Sequence, residues 1–134
     1  MSGFTDIFEK EINFKNGLLG LEEYKKYKIK KIEGNDSFYL LQSCEDAKLA
    51  MVVMNPFQFI EDYEITLDDA VVKNLNIKDE REVIVFNTVT LANEEKDFTT
   101  NLVAPFIINV KNNCGEQIIL NNSKYKIKEK IFKE

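Results

Sequence analysis

The chain has 134 residues, of which 44% are hydrophobic and 31% are charged, a length and balance typical of one soluble domain. It contains no His and no Trp, and Arg81 is the single arginine among 18 basic residues. Without His, acid–base catalysis near neutral pH needs another side chain with a strongly shifted pKa, and catalytic triads and His-containing metal sites are excluded. We therefore expect a binding protein rather than an enzyme, with no cofactor and no metal.

The net charge of −5 is unevenly distributed along the chain. Residues 61–97 carry eleven acidic and four basic residues, whereas residues 1–60 have a net charge of −1 and residues 98–134 a net charge of +3. An acidic segment repels phosphate and attracts a basic protein partner. The alternative is a solvated face that keeps the protein soluble. Either way, nucleic acid is disfavoured as a direct ligand.

Cys44 and Cys114 are seventy residues apart and form no metal-binding spacing. The N-terminus lacks the basic and apolar regions of a signal peptide, and no apolar run approaches the ~20 residues that span a bilayer. We therefore expect two free, buried thiols in a reducing cytoplasm.

Short runs of β-branched and aromatic residues predict strands along most of the chain. The first alternates Tyr27 and Ile29 with lysines, the period of a half-buried strand. Later strands are predicted at 38–43, 49–54, 63–66, 83–91, 102–110 and 117–120, the last two forming a hairpin around a turn at 112–115. Asn55-Pro56 ends the strand at 49–54 because proline cannot donate to a ladder.

One helix is predicted at 68–75, where two acidic residues precede an apolar stripe of Ala70, Val71 and Leu75. Residues 125–132 form an amphipathic tail of undetermined type. Because open edges on so small a β protein invite aggregation, the pattern predicts a mainly β fold. We expect a small closed or nearly closed antiparallel β-barrel with one short helix, one domain over residues 1–134.

Two charged stretches admit competing interpretations. Residues 24–31 hold five lysines and two tyrosines, which could grip a nucleic-acid backbone with base stacking, or could be a lysine-guarded edge strand. The acidic residues at 61–69 could hold a divalent cation, but they lack the spacing of an EF-hand. They could also supply the two carboxylates of a glycosidase, but no feature of the sequence distinguishes two of them as such a pair. A solvated acidic loop is the simpler interpretation, and an acidic docking surface is the alternative.

Three stretches, in register, resemble one family. Residues 12–22 read INFKNGLLGLE, similar to F-x-x-G-L-P-G-F-E. Residues 38–63 contain FYLLQS, LAMVV and PF and close at Tyr63, similar to F-x-x-L-Q-S…L-A-F-V-V…P-F…Y. Residues 100–109 read TNLVAPFIIN, similar to T-x-N-L-x-A-P-I-V-I-N. Together they resemble the bacterial flagellar assembly factor FliW family over nearly the whole chain.

The resemblance implies a cytoplasmic protein without catalytic activity. Such proteins bind the translational repressor CsrA and prevent it from silencing flagellin mRNA. They also bind flagellin, so that free flagellin competes for them. CsrA is an RNA-binding dimer with basic surfaces, which suits the acidic segment. A small RNA-binding barrel that uses residues 24–31 is the second hypothesis, and a carboxylate-only hydrolase is the third.

Polar motif residues have little reason to be dictated by packing, so they are interface candidates: Gln42, Ser43, Asn55, Asn101 and Asn109. A buried side chain that satisfies loop backbone is the alternative for each of them. The candidate contacts for CsrA are acidic: Glu61, Asp62, Glu64, Asp68 and Asp69. Among the remaining motif positions, Phe38, Leu49 and Ile107 are expected in the core.

Overall fold

The computed structural model describes residues 7–133, and within this range it contains nine strands and one α-helix. The strands are β1 Glu11–Phe14, β2 Lys26–Ile32, β3 Asn35–Ser43, β4 Ala50–Met54, β5 Val83–Thr90, β6 Thr99–Thr100, β7 Phe106–Asn109, β8 Cys114–Gln117 and β9 Glu129–Lys130. The helix α1 spans Asp69–Asn74, and short 3₁₀ helices span Pro56–Gln58, Glu80–Glu82 and Glu95–Asp97.

Seven of these strands form a ring of hydrogen-bonded neighbours in the order β1, β2, β3, β4, β5, β7, β8 and back to β1. The mainly β fold with a closed arrangement of strands is therefore confirmed. One pairing differs from the antiparallel expectation, since β1 and β8 run parallel with Asn13 opposite Cys114. These two strands come from distant parts of the chain, so no hairpin turn imposes an antiparallel direction on them.

The inward-facing residues of the ring form the main core. Phe14 packs edge-on against Tyr27 and Phe106, with ring centroids 5.6 and 6.0 Å apart. Gly115 on β8 lies beneath this cluster, where an added Cβ would come within 2.6 Å of the Phe14 ring. The other core residues at the centre of this cluster are Ile12, Ile29, Leu41, Phe86 and Ile108.

A second layer covers the outer face of β5 and β7. Val71 of α1 and Leu75, the residue directly after this helix, pack on Ile107, which is fully buried. The helix begins where the Asp68 carboxylate accepts a hydrogen bond from the Val71 amide at 2.9 Å. This side-chain cap satisfies one of the free amides at the helix start, and the helix predicted at 68–75 is confirmed.

The predicted strand at 63–66 is wrong, because this segment is held by side chains instead of a ladder. The buried Tyr63 hydroxyl donates to the Leu102 carbonyl at 2.6 Å, and the Glu64 amide donates to the Tyr125 hydroxyl at 2.7 Å. Tyr63 and Ile65 alternate with polar Glu64 and Thr66, which gave a strand-like pattern, but hydroxyl groups of Tyr63 and Tyr125 anchor the segment as a loop.

The hairpin near the C-terminal end is shorter and shifted relative to the prediction. The first strand begins at Phe106 after the trans Ala104–Pro105 peptide, and the second ends at Gln117. Proline lacks the amide that a longer β7 ladder would need. At the other end of the chain, β1 was not predicted, although Glu11–Phe14 alternates exposed and buried residues.

Core predictions hold for Phe38 and Ile107, while Leu49 is only partly buried. The two thiols are free, but Cys44 is exposed and Cys114 partly exposed, so their predicted burial is wrong. Cys44 follows directly after β3, where the chain leaves the sheet. Within residues 7–133, no helix is long and apolar enough to cross a membrane.

Candidate protein-binding site

An open groove of about 810 Å³ lies between the outer face of β5 and the segment that carries α1. We call it the acidic groove. Its apolar lining residues are Phe57, Ile65, Leu67, Val72, Ile77, Val83, Val85 and Ile107. Its polar lining residues are Glu64, Thr66, Lys78, Asp79 and Glu80.

The floor of the acidic groove follows from strand geometry. Val85 is opposite Ile107 in the antiparallel pair of β5 and β7, so the two side chains share one face. Val83 is two residues from Val85 and lies on the same face. Since α1 covers only part of this face, Val83 and Val85 stay partly exposed.

The charged lining of the acidic groove consists of three carboxylates and one ammonium group. Asp79 accepts hydrogen bonds from the side chain and the amide of Arg81, which hold the pKa of Asp79 down at about 2. The carboxylate is therefore ionised under all physiological conditions. An apolar floor with a negative rim fits a partner that presents apolar side chains flanked by basic ones.

Aromatic hydroxyls fix the wall that carries Glu64. The Tyr63 hydroxyl accepts a hydrogen bond from the Asn87 side-chain amide at 3.1 Å, and the Tyr63 ring packs edge-on against Tyr125, with centroids 4.9 Å apart. The Tyr125 hydroxyl lies within hydrogen-bond distance of the carbonyls of Asp62 and Glu64, at 3.3 and 3.2 Å. These contacts hold the backbone of the loop that carries Asp62 and Glu64 in one conformation.

A smaller pocket of about 210 Å³ adjoins the acidic groove. We call it the Phe57 pocket; Asn55, Phe57, Val83, Ile84 and Val85 line it. Phe57 is 53% exposed even though its ring lies 5.9 Å from that of Tyr63. A large exposed aromatic residue beside an apolar pocket is a common feature of protein interfaces.

Comparison with known proteins assigns the chain to a family. The sequence model of the FliW protein matches residues 3–131 of the chain. The chain belongs to the FliW family.

Individual relatives agree over nearly the full length of the chain. The flagellar assembly factor FliW of Clostridium tetani (strain Massachusetts / E88) is 50% identical over 133 residues, 98% of this chain and 92% of that protein. The FliW of Clostridium novyi (strain NT) is 48% identical over 126 residues, 94% of this chain and 88% of that protein. A crystal structure of the flagellar assembly factor FliW matches with a TM-score of 0.88 at 36% identity, covering 92% of this chain and 86% of that chain.

The acidic candidates of the FliW-like chain lie on and near the groove. Glu64 is part of the groove lining, and Glu61, Asp62 and Asp69 are exposed on the same segment of chain. Asp68 is exposed as well, but its carboxylate caps α1. The role of these five carboxylates in partner binding stays a prediction. Asp68 differs from the other four because its side chain also stabilises the start of α1.

Two polar FliW motif residues organise the loop between β3 and β4. The Gln42 side-chain amide donates to the carbonyls of Ser43 and Leu49 at 3.1 and 3.0 Å. The Ser43 hydroxyl oxygen accepts from the amides of Glu45 and Asp46, both at 3.0 Å. Both side chains therefore bond to loop backbone, as the alternative interpretation of these residues expected. Contact of Gln42 or Ser43 with a partner stays a prediction.

The three asparagines of the FliW motifs have comparable local bonds. The Asn55 side chain accepts from the Phe57 amide at 3.0 Å, and that of Asn101 accepts from the Val103 amide at 2.9 Å. Asn109 is buried and bonds to the C-terminal end of α1. Asn55 and Asn109 thereby shape the groove, Asn55 as a lining residue of the Phe57 pocket and Asn109 through the helix.

The lysine-rich stretch at 24–31 presents few aromatic surfaces. The Tyr27 ring is fully buried against Phe14, so it is not available to stack on a base. Lys26 lies 3.9 Å from Glu11 on the neighbouring strand. The stretch mostly forms β2, with Tyr27 inside and its lysines outside. Because β2 is paired with β1 on one side and with β3 on the other, the predicted edge strand is wrong.

Several groove residues were not singled out from the sequence: Ile65, Leu67, Asp79, Glu80, Val83 and Val85. Asp79 and Glu80 belong to the acidic segment at 61–97, so the charge count already contained them. Only the folded chain brings them opposite Glu64. Phe57 was visible as part of a motif, but its exposure could not be read from the sequence.

Proposed function

We propose that this chain is a non-catalytic, cytoplasmic flagellar assembly factor that binds CsrA and flagellin. By binding CsrA, it would relieve the repression of flagellin mRNA, and free flagellin would compete for it. Membership of the FliW family supports the role in flagellar assembly. The two partners are proposed from the family resemblance and from the chemistry of the acidic groove.

The observation that carries the CsrA proposal is the charge of the groove rim. Glu64, Asp79 and Glu80 line the apolar floor, and Lys78 is the one cation among the lining residues of this groove. CsrA presents basic surfaces because it binds RNA. Docking in the acidic groove would match its positive charge and bury apolar side chains at the centre of the contact.

Binding of purified CsrA and flagellin, measured by calorimetry, tests the proposal directly. A protein that binds neither of them under low-salt conditions would disprove it. The competition is tested by adding flagellin to the preformed CsrA complex, which should release CsrA in proportion to the flagellin added. A stable ternary complex would contradict the partner switch while leaving both binding activities intact.

Reversing the charge of acidic residues tests whether CsrA docks in the acidic groove. The double variant Glu64→Lys with Asp69→Lys should slow CsrA association by roughly an order of magnitude and reduce its dependence on salt. Asp68 is better tested as Asp68→Asn, since asparagine keeps the helix cap and removes only the charge. Glu33→Lys is the matched control, because Glu33 is exposed on the turn between β2 and β3. Equal association rates for the double variant and this control would remove the acidic groove from the proposal.

A further inference from the structure

The edge of β5 is only partly covered. β5 pairs with β4 through two residue pairs, Val53 with Thr88 and Met54 with Asn87. The preceding four residues, 83–86, pair with β7 on the opposite side. Within the described chain, no strand lies against the β4 side of these four residues.

Pro56 explains why β4 stops there. If the register of β4 and β5 continued, Pro56 would lie opposite Val85, but proline has no amide to donate. The chain instead turns into the 3₁₀ helix Pro56–Gln58, which is capped by Asn55. The carbonyl of Pro56 is used within this turn by the amide of Ile60 at 2.9 Å.

The direction of the backbone groups follows from one hydrogen bond. The Val110 amide donates to the Glu82 carbonyl at 2.9 Å, so the carbonyl group of Glu82 points toward β7. Because these groups alternate along an antiparallel strand, those of Val83 and Val85 point to the open side. The Val83 amide bonds to the Glu80 carbonyl. In the part of the chain that the structure describes, no strand takes up the carbonyl of Val83 or the amide and carbonyl of Val85.

The Phe57 pocket, of about 210 Å³, lies beside the open edge. The Phe57 pocket is lined by Val83 and Val85 from one face of β5 and by Ile84 from the other, which places it at the edge itself. It shares Phe57, Val83 and Val85 with the acidic groove. A segment that paired with this edge would therefore direct alternate side chains into the groove.

The charge of the lining residues indicates which kind of segment would bind. Asp79 is paired with the Arg81 guanidinium at 2.7 Å, and the lining carboxylates Glu64 and Glu80 favour a segment with lysines or arginines among its apolar residues. A second copy of this chain would bring the same carboxylates against them, and like charges oppose such pairing. We propose that an extended basic segment of a partner protein adds as a strand to β5 at Val83–Val85. This inference stands on the open edge and does not depend on the identity of the partner.

A blocked eight-residue peptide that alternates lysine and valine is the probe. Titrated into the ¹⁵N-labelled protein, it should shift the amide signals of Val83 and Val85 and slow the hydrogen exchange of the Val85 amide. The same peptide N-methylated at every residue cannot form ladder bonds and should bind at least about tenfold more weakly. A peptide that alternates glutamate and valine should not bind at low salt.

Protein variants complete the test. Asp79→Asn with Glu80→Gln keeps the side-chain size of the rim but removes its negative charge, and it should weaken binding of the lysine peptide several-fold, as should Phe57→Ala. Leu91→Ala is the matched control, since Leu91 is also exposed but lies outside both pockets. Equal affinity for the N-methylated peptide, amide shifts confined to another strand, or a dimer of this chain formed through β5 would each overturn the proposal. Because no CsrA or flagellin is present, such a failure leaves the proposed function untouched.

Discussion

The side-chain nitrogen of Asn109 lies 2.8 Å from the carbonyl oxygen of Leu75, the residue that caps the C-terminal end of α1. The side-chain oxygen of Asn109 accepts from the Lys111 amide at 2.9 Å, so both polar atoms are used. A FliW motif residue on β7 therefore holds the helix that forms one wall of the acidic groove. A substitution of Asn109 can therefore alter partner binding by displacing α1, without Asn109 contacting the partner.

Asn109→Ala should destabilise the protein by about 1–3 kcal/mol, because it leaves a buried carbonyl with one bond fewer and the Lys111 amide without its acceptor. Urea denaturation measures this loss. Asn112→Ala is the control, since the exposed Asn112 side chain donates to the same Leu75 carbonyl at 3.0 Å. It should cost less than about 1 kcal/mol. Equal losses for both variants would contradict the importance of the buried bond.

Substitutions at Gly17 and Gly20 distinguish the cost of backbone strain from the cost of a steric clash. Both have positive φ, +70° and +80°, but a Cβ on Gly17 would come within 2.5 Å of the Glu22 backbone, whereas one on Gly20 would meet nothing within 4 Å. Gly20→Ala should cost about 1–2 kcal/mol from the left-handed conformation alone. Gly17→Ala adds displacement of backbone and should cost clearly more. Thermal unfolding checks the order, and a smaller loss at Gly17 would refute it.

Tyr63→Phe should destabilise the fold by about 1–3 kcal/mol at neutral pH. The change removes the donor of the Leu102 carbonyl and the acceptor of the Asn87 side-chain amide, both of which are buried. Denaturant unfolding of the variant at pH 7 measures the effect. A loss below about 0.5 kcal/mol would show that the loop at 63–68 relaxes and finds other bonds.

Alkaline pH gives a second measurement on the same residue. Burial raises the pKa of Tyr63 from its ordinary value of 10.0 to about 12. Between these values the folded protein keeps a proton that the unfolded chain releases, so stability falls as the pH rises from 10 to 12. Tyr63→Phe should make this decline shallower. An unchanged slope would mean that Tyr63 ionises normally in the folded state.

Asp79 should remain ionised to about pH 2 in the folded protein, because the Arg81 side chain and amide bond to its carboxylate. Its stabilising contribution is present above the ordinary pKa of 3.8 and is lost as the pH falls through about 2. Carboxyl NMR titration reads the midpoint directly. Arg81→Ala should return it toward 3.8. A midpoint unmoved by Arg81→Ala would assign the shift to another cause.

The sequence predicted the elements whose pattern is local. Alternation along β2 and the acidic start of α1 are visible in single stretches, and Pro56 marks the end of β4 through its missing amide. The loop at 63–68 could not be predicted, because its hydrogen bonds join Tyr63 to residues far along the chain. The groove was invisible for the same reason, since the segment with Glu64 and the strand with Val85 become neighbours only after folding.

The parallel pair of β1 and β8 also determines when the molecule can fold. Asn13 and Cys114 are about a hundred residues apart, so the ring cannot close until β8 has left the ribosome. The local β2–β3–β4 meander forms contacts earlier, at a low entropic cost. A nascent chain arrested before Cys114 should therefore remain sensitive to protease. Partner binding that depends on the closed ring would begin only after β8 has been synthesised and has paired with β1.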